Sequence, residues 1–272
     1  MLKIKNYVKV ESIEEAWQLN QKRTACVLGG MVWLKMGSRN VSTAIDLSGL
    51  GLDTIKETDD AFIIGCMTPL RDLELHEGLN RYTRSAMRES LRHIVGVQFR
   101  NCATAGGSIW GRYGFSDVLT MFLALDTCVE LHRGGIIPLS EFVGMPKDRD
   151  ILVNLIVKKT PVKTVYLSQR NTKTDLPVLT CAVSVTEDRV CAVYGARPAR
   201  AMLLEDEKGI LCGFSEMSEK ERENAISAFA GYAAENVPTA GNMRGSQEYR
   251  TLLVKVLTKR ALKAAGGMKD ED

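Results

Sequence analysis

The chain has little that could hold a metal. It has three histidines in 272 residues, His76, His93 and His132, and none is spaced with a cysteine or with another histidine. Its seven cysteines are scattered, with no Cys-x-x-Cys pair and no two closer than Cys181 and Cys191. Zinc and iron–sulfur sites draw on clustered thiolates and imidazoles, so the cysteines read as buried or free thiols in a reducing compartment. Charge of one sign is also scarce: 36 Lys and Arg against 33 Asp and Glu leave +3, with no basic run interleaved with aromatics, which argues against nucleic acid. No apolar run approaches the length of a membrane span, and residues 1–20 mix charges without an apolar core, so the reading is a cytoplasmic protein, neither secreted nor membrane-bound. Neither Gly-x-Gly-x-x-Gly nor Gly-x-x-x-x-Gly-Lys occurs, which excludes the Rossmann and P-loop ways of holding phosphates.

What is present gathers in residues 101–126, NCATAGGSIWGRYGFSDVLTMFLALD. Gly106-Gly107 allows close backbone approach to a ligand, and consecutive unpaired N–H groups in such a turn would suit phosphate oxygens. Ser116 is an N-cap candidate, and Asp117 lies in the first turn of a helix expected over 117–126. The segment has an echo. Gly29-Gly30-Met31-Val32-Trp33 repeats the pattern of Gly106-Gly107-Ser108-Ile109-Trp110, Gly-Gly three residues before a Trp. Residues 24–28 read as a short buried strand delivering the first turn. Two such turns can cradle a pyrophosphate from two sides. Trp33 and Trp110 serve either to stack on a ligand or to fill the core.

A length of 272 residues predicts two domains. Leu2, Ile4 and Val8 indicate a first strand, and Ser12 with Glu15 forms a capping box for an amphipathic helix. The strand–helix–strand start predicts mixed α/β structure. Residues 61–65 read as a strand, Thr68-Pro69 as a helix opening, and Tyr82, Ala86, Met87, Leu91 and Ile94 as one face of a single helix bearing Arg81, Arg84, Arg88 and Arg92. That basic face is either solvated or meets an acidic partner. Residues 128–131 and 151–157 read as strands. Residues 158–161, Lys-Lys-Thr-Pro, make the best linker. Beyond it, residues 179–185 and 190–194 form a hairpin, Ser218 and Glu221 cap a helix to about Asn236, and Ser246 starts a last helix, giving an α+β domain with a frayed tail over 266–272. The arginines of residues 244–250 read as solvated.

These motifs, with Arg100-Asn101, the residue 64–68 stretch Ile-Gly-Cys-Met-Thr and the residue 243–250 stretch Met-Arg-Gly-Ser-Gln-Glu-Tyr-Arg, resemble the FAD-binding medium subunit of the xanthine dehydrogenase and carbon monoxide dehydrogenase family of molybdenum hydroxylases, over essentially the whole chain. The resemblance implies an α+β fold with a mixed α/β N-terminal part. Residues 1–160 would be a two-subdomain FAD-binding domain of the vanillyl-alcohol-oxidase (PCMH) type, divided at about 56. Residues 161–272 would be a small C-terminal domain of the CO dehydrogenase flavoprotein type, with an antiparallel sheet and helices. FAD would lie extended along the two turns, with contacts from Val27, Leu28, Gly29, Gly30, Met31, Val32 and Trp33, and from Thr104, Gly106, Gly107, Ser108 and Trp110. Ser116 and Asp117 would face the adenosine ribose, and Ile94, Val95 and Leu152 would supply apolar contacts. No residue of the chain is implied as a catalytic acid or base, or as a metal ligand. The implied function is electron transfer in a heterotrimer with a molybdopterin-binding large subunit and a [2Fe-2S] small subunit, delivering electrons to NAD⁺ or another acceptor. Met31 and Val32 replace residues that are usually polar in the family, and Ser168 stands where a Lys is common. Those departures motivate a second expectation, a flavin-free assembly subunit. A third is a stand-alone FAD oxidoreductase.

Overall fold

Alternation of Ile4 and Val8 with polar residues gives β1 (Lys3–Lys9), and Ser12 caps α1 (Ile13–Asn20) by accepting the Glu15 N–H at 3.1 Å. The Glu15 carboxylate reaches back to the Glu11 N–H rather than to that of Ser12, so the predicted capping box closes one residue early. A computed structural model describes residues 1–268; the end of the predicted frayed tail, 269–272, lies outside the described residues. The chain continues through β2 (Ala25–Leu28), β3 (Asn40–Asp46), β4 (Ile55–Glu57), β5 (Ala61–Gly65) and α2 (Leu70–Leu75). Short helices follow: α3 (Glu77–Tyr82), α4 (Ala86–Leu91), α5 (Val97–Cys102), α6 (Ala105–Gly111) and α7 (Asp117–Leu123). Then come β6 (Thr127–Leu131), β7 (Gly135–Pro138), α8 (Leu139–Gly144), β8 (Leu152–Lys158), β9 (Lys163–Gln169), β10 (Leu179–Val185), β11 (Val190–Gly195), β12 (Met202–Leu204), α9 (Glu219–Asn236) and α10 (Gln247–Ala265).

Two compact units emerge, and each collects separate stretches of chain. The first takes residues 1–73, 96–111 and 127–158; the second takes 74–95, 112–126 and the chain from 159 onward. In the first, β3 lies between β1 and β2, all parallel, as the strand–helix–strand start requires. Leu28, Val41 and Ala44 form a small core on this sheet, with Met31 and Leu34 packed against it. The same unit holds an antiparallel sheet in the order β4-β5-β8-β6-β7, whose interior strands bury Phe62, Ile64, Val129, Leu155 and Val157.

In the second unit the expected hairpin is part of a larger antiparallel sheet, ordered β12-β11-β10-β9. Every residue of β10 is buried, because α10 packs against one face while Thr180 and Ser184 on the other meet Thr120 of α7 and the Ala124 carbonyl. The capping box at Ser218 forms as predicted, with the Ser218 N–H donating to Glu221 at 2.9 Å and the Glu221 N–H to the Ser218 hydroxyl at 3.4 Å. The basic stretch from Tyr82 to Ile94 is not one helix. Arg84 and Ser85 adopt φ of 52° and 67° and break it into α3 and α4. The buried Asn80 side chain drives the break by donating to the Glu74 and His76 carbonyls and accepting the Arg88 N–H.

Candidate functional site

In the first unit the two Gly-Gly segments lie against each other. A Cβ on Gly29 would sit 2.9 Å from Thr104 Oγ1 and 3.4 Å from Gly107 Cα, and a Cβ on Gly107 would sit 3.0 Å from the same hydroxyl and 3.9 Å from Gly29 Cα. Gly29 and Gly107 thus face each other across Thr104. Gly30 and Gly106 turn inward. A Cβ on Gly30 would overlap the Cys102 carbonyl oxygen at 1.7 Å, and one on Gly106 would meet Cys66 at 2.6 Å. The inner glycines let backbone pack on backbone, and the outer pair leaves a bare backbone surface.

The residue 65–68 stretch holds the second segment in place. Cys66 O accepts the Gly106 N–H at 2.8 Å, Thr68 O accepts the Ala105 N–H at 2.9 Å, and Leu70 donates to Ala103 O at 2.8 Å. Gly65 is required there because a Cβ would stand 2.1 Å from Leu52 O.

These bonds change the expected chemistry of the second segment. Residues 105–111 form helix α6 rather than an open turn, and its leading N–H groups already have acceptors: Gly107 donates to Thr104 Oγ1 at 3.1 Å and Ser108 to Thr104 O at 3.1 Å. The expectation of consecutive unpaired donors does not hold at Gly106-Gly107. It fits the first segment instead, where the N–H groups of Gly29, Gly30, Met31 and Val32 have no acceptor among the described residues. Thr104 Oγ1, accepting from Gly107, keeps its own proton to donate. A run of N–H donors beside the Thr104 hydroxyl and Gly107 suits the anionic oxygens of a pyrophosphate. The residues present therefore fit that part of an FAD molecule.

Met31 sits at φ 58°, a conformation costing a non-glycine residue about 1 kcal/mol, and its side chain packs toward Leu28, Val41 and Ala44. Its apolar side chain is thus absorbed by the small core while its N–H stays in the donor run. Val27 and Val32 are half-buried, and Leu28 closes β2. Trp33 is 36% exposed with its ring edge-on to Phe99, and Trp110 is half-buried against Phe142, so Trp110 fills core and Trp33 remains accessible. Leu152 is buried at the start of β8.

Ile94, Val95, Ser116 and Asp117 belong to the second unit. Val95 is 46% exposed at φ 51°, an outlier for a β-branched residue. Ser116 caps α7, accepting the Leu119 N–H at 3.0 Å, and α7 ends at Leu123, short of the expected 126. Asp117 is buried, and its Oδ1 accepts from both the Tyr166 hydroxyl and the Arg170 guanidinium, whose side chain is also buried. Burial pushes the Asp117 carboxyl up and the Arg170 charge opposes it, while burial and Asp117 push the Tyr166 phenol above its ordinary value. The expected ribose ligand is therefore held by two side chains 49 and 53 residues away in sequence, which no local pattern reveals.

Arg250 overturns another expectation. It is completely buried and donates to the carbonyls of Val178, Ala240 and Gly245 and to Asn242 Oδ1, at 2.6–2.8 Å. Gly245-Ser246 is the expected turn and N-cap, but Arg250 clamps the loop before α10 from inside and the half-buried Arg244 pairs with Asp175, so these arginines are not simply solvated.

Comparison with known proteins agrees with this architecture. The family described as the FAD binding domain in molybdopterin dehydrogenase matches residues 2–161, and that described as the CO dehydrogenase flavoprotein C-terminal domain matches residues 163–265. The glyceraldehyde dehydrogenase medium chain of Sulfolobus acidocaldarius is 25% identical over 281 residues, covering 95% of this chain and 97% of that one. The uncharacterized protein YgfM of Escherichia coli (strain K12) is 29% identical over 196 residues, covering 68% of this chain and 71% of its own. Among solved structures, the cyanide-inactivated Cu,Mo-CO dehydrogenase matches with a TM-score of 0.85 at 20% identity, over 98% of this chain and 99% of that one. Quinoline 2-oxidoreductase from Pseudomonas putida 86 matches with 0.82 at 17%, over 96% of each chain. At these identities the structures establish the fold, a mixed α and β N-terminal part followed by an antiparallel sheet with helices.

Proposed function

The chain belongs to the FAD-binding domain family of the molybdopterin dehydrogenases, and from that premise we propose that it is the FAD-carrying, electron-transferring medium subunit of a molybdenum hydroxylase. The observation that carries the reading is the pair of Gly-Gly segments meeting across Thr104. On this reading the N–H groups of Gly29 to Val32 and the Thr104 hydroxyl take the pyrophosphate, and Leu152 supplies apolar contact. FAD, when bound, supplies the redox chemistry. On this reading the residues of this chain bind and orient it, and none needs to act as an acid, a base or a metal ligand. Residues 1–160 act as the FAD-binding domain and 161–272 as the C-terminal domain. The partners are a molybdopterin-binding large subunit and a [2Fe-2S] small subunit, the final acceptor is NAD⁺ or another oxidant, and the complex works in the cytoplasm.

An absorption spectrum of the purified protein, followed by chromatography of the flavin released on heating, tests this reading. FAD at about one per chain supports it. Protein that is colourless and takes up no added FAD overturns it. A second reading, a flavin-free assembly subunit of such a complex, draws on Met31 and Val32 and on the already engaged N–H groups of residues 105–108. Colourless protein in an intact complex would favour that one.

A further inference from the structure

The turn between α3 and α4 places two consecutive non-glycine residues, Arg84 and Ser85, in the left-handed region. Such strain persists only where the surroundings fix it, and it points toward function when nothing structural needs the residue type. The surroundings here are explicit. Ser85 N donates to Asn80 O at 2.7 Å, Thr83 Oγ1 donates to Leu79 O at 2.7 Å and accepts the Met87 N–H, and the Asn80 amide ties the turn at three further points. Glycine at position 84 would satisfy the same backbone without strain, yet the chain carries an exposed arginine there.

Beside this turn lies an open groove of about 610 Å³ in the second unit, walled by the residue 159–163 linker, the tip of the β10–β11 hairpin and Ser215. Four cations, Arg81, Arg84, Lys159 and Lys163, line it against one carboxylate, Glu187. Among the described residues no carboxylate pairs with Arg81, Arg84 or Lys163. The Tyr82 hydroxyl accepts the Thr160 N–H at 3.2 Å and so joins the linker to the strained turn.

We propose that this groove docks an acidic, extended polypeptide segment of a partner chain. Sites for small ligands enclose most of the ligand in mainly apolar walls. This groove is open and edged by cations, which suits a chain of carboxylates lying partly in water. Guanidinium groups add bidentate recognition of each carboxylate. The inference does not depend on bound FAD.

The test is anisotropy of a fluorescein-labelled deca-glutamate peptide titrated with the full-length protein at low salt. The expected result is saturable binding that weakens about tenfold in R81E/R84E and clearly in Lys163→Glu, while K3E/K5E, the same charge change on the exposed β1, alters it less than about twofold. Arg84→Gly should weaken binding yet raise the melting temperature by about 2 °C, since it removes a contact and relieves strain together. Equal losses in R81E/R84E and K3E/K5E would reduce the effect to net charge and overturn the proposal. So would inorganic pyrophosphate displacing the peptide as the tighter ligand, or an Arg84→Gly protein that binds as well as the parent.

Discussion

Gly106 and Cys66 are in such close contact that a Cβ on the glycine would lie 2.6 Å from both the Cys66 Cβ and the Cys66 carbonyl oxygen. The Gly106 N–H donates to that same oxygen, so the contact seats α6 on the end of β5. Gly107, the next residue, is exposed. The two glycines of one motif therefore have different tasks. Gly106→Ala should destabilise the protein by about 1–3 kcal/mol through overpacking against backbone. Gly107→Ala should leave stability unchanged or slightly improved, because alanine favours a helix and only the Thr104 hydroxyl must give way. Flavin content should fall in the Gly107 variant despite intact folding. Urea denaturation and flavin content measured on both variants separate the two roles.

Val95 tests the link between strain and site. At φ 51° a β-branched residue is strained by about 1–2 kcal/mol, and with 46% of its surface exposed it recovers little by packing. Val95→Gly should therefore raise the stability of the flavin-free protein by up to about 1 kcal/mol. If Val95 contacts FAD, the same variant should bind flavin more weakly. A variant that is more stable and binds FAD equally well would remove Val95 from the site.

Much of the fold is legible in the sequence because it is locally encoded. Ser12, Ser116, Ser218 and Ser246 each cap a helix, as their spacing suggests. The glycine echo marks the two segments that meet across Thr104. Less legible is whatever depends on partners remote in sequence. Periodicity carried one helix through Arg84, since nothing local shows that Asn80 would compete for the backbone and turn the chain. Arg170 and Tyr166 lie in a separate strand and loop, so their hold on Asp117 appears only after folding. The engaged donors of Ala105 and Gly106 depend on the carbonyls of Thr68 and Cys66, about forty positions earlier.

Arg250 is the plainest case of such a remote role. An arginine in a polar stretch reads as solvated, yet here it is buried and donates to the core carbonyl of Val178 and to the carbonyls of Ala240 and Gly245 nearer the surface. Arg250→Met would leave the buried Val178 carbonyl without this donor, at about 1–3 kcal/mol if it cannot relax toward water, while Gly245 O keeps the Asn242 N–H and Ala240 lies at the surface. A loss of about 1–3 kcal/mol is expected in urea denaturation. Arg250→Lys should recover only part of it, because one ammonium cannot span carbonyls that the planar guanidinium reaches from both ends. A loss below about 1 kcal/mol for Arg250→Met would show that the loop repacks without the clamp.

A pH dependence follows from Glu14 on α1. Its Oε2 meets His132 Nε2 at 2.9 Å and Arg133 at 2.6 Å, and Gln18 donates to its Oε1 at 3.0 Å. The hydrogen bond with His132, then that with Gln18, then the Arg133 charge hold the carboxyl below its ordinary value, with some opposition from burial. A carboxyl lowered in the folded state contributes stability that is fully present above its unfolded pKa and is lost as pH falls through the folded one. The contact joins α1 to the turn after β6, so its loss should loosen the first unit. Melting temperatures of the parent and of Glu14→Gln should differ most near neutral pH and converge as acid protonates the carboxylate. A difference that stays constant down to pH of about 3 would assign the effect to packing of Trp17 under the Arg133 guanidinium, at 4.6 Å, and not to charge.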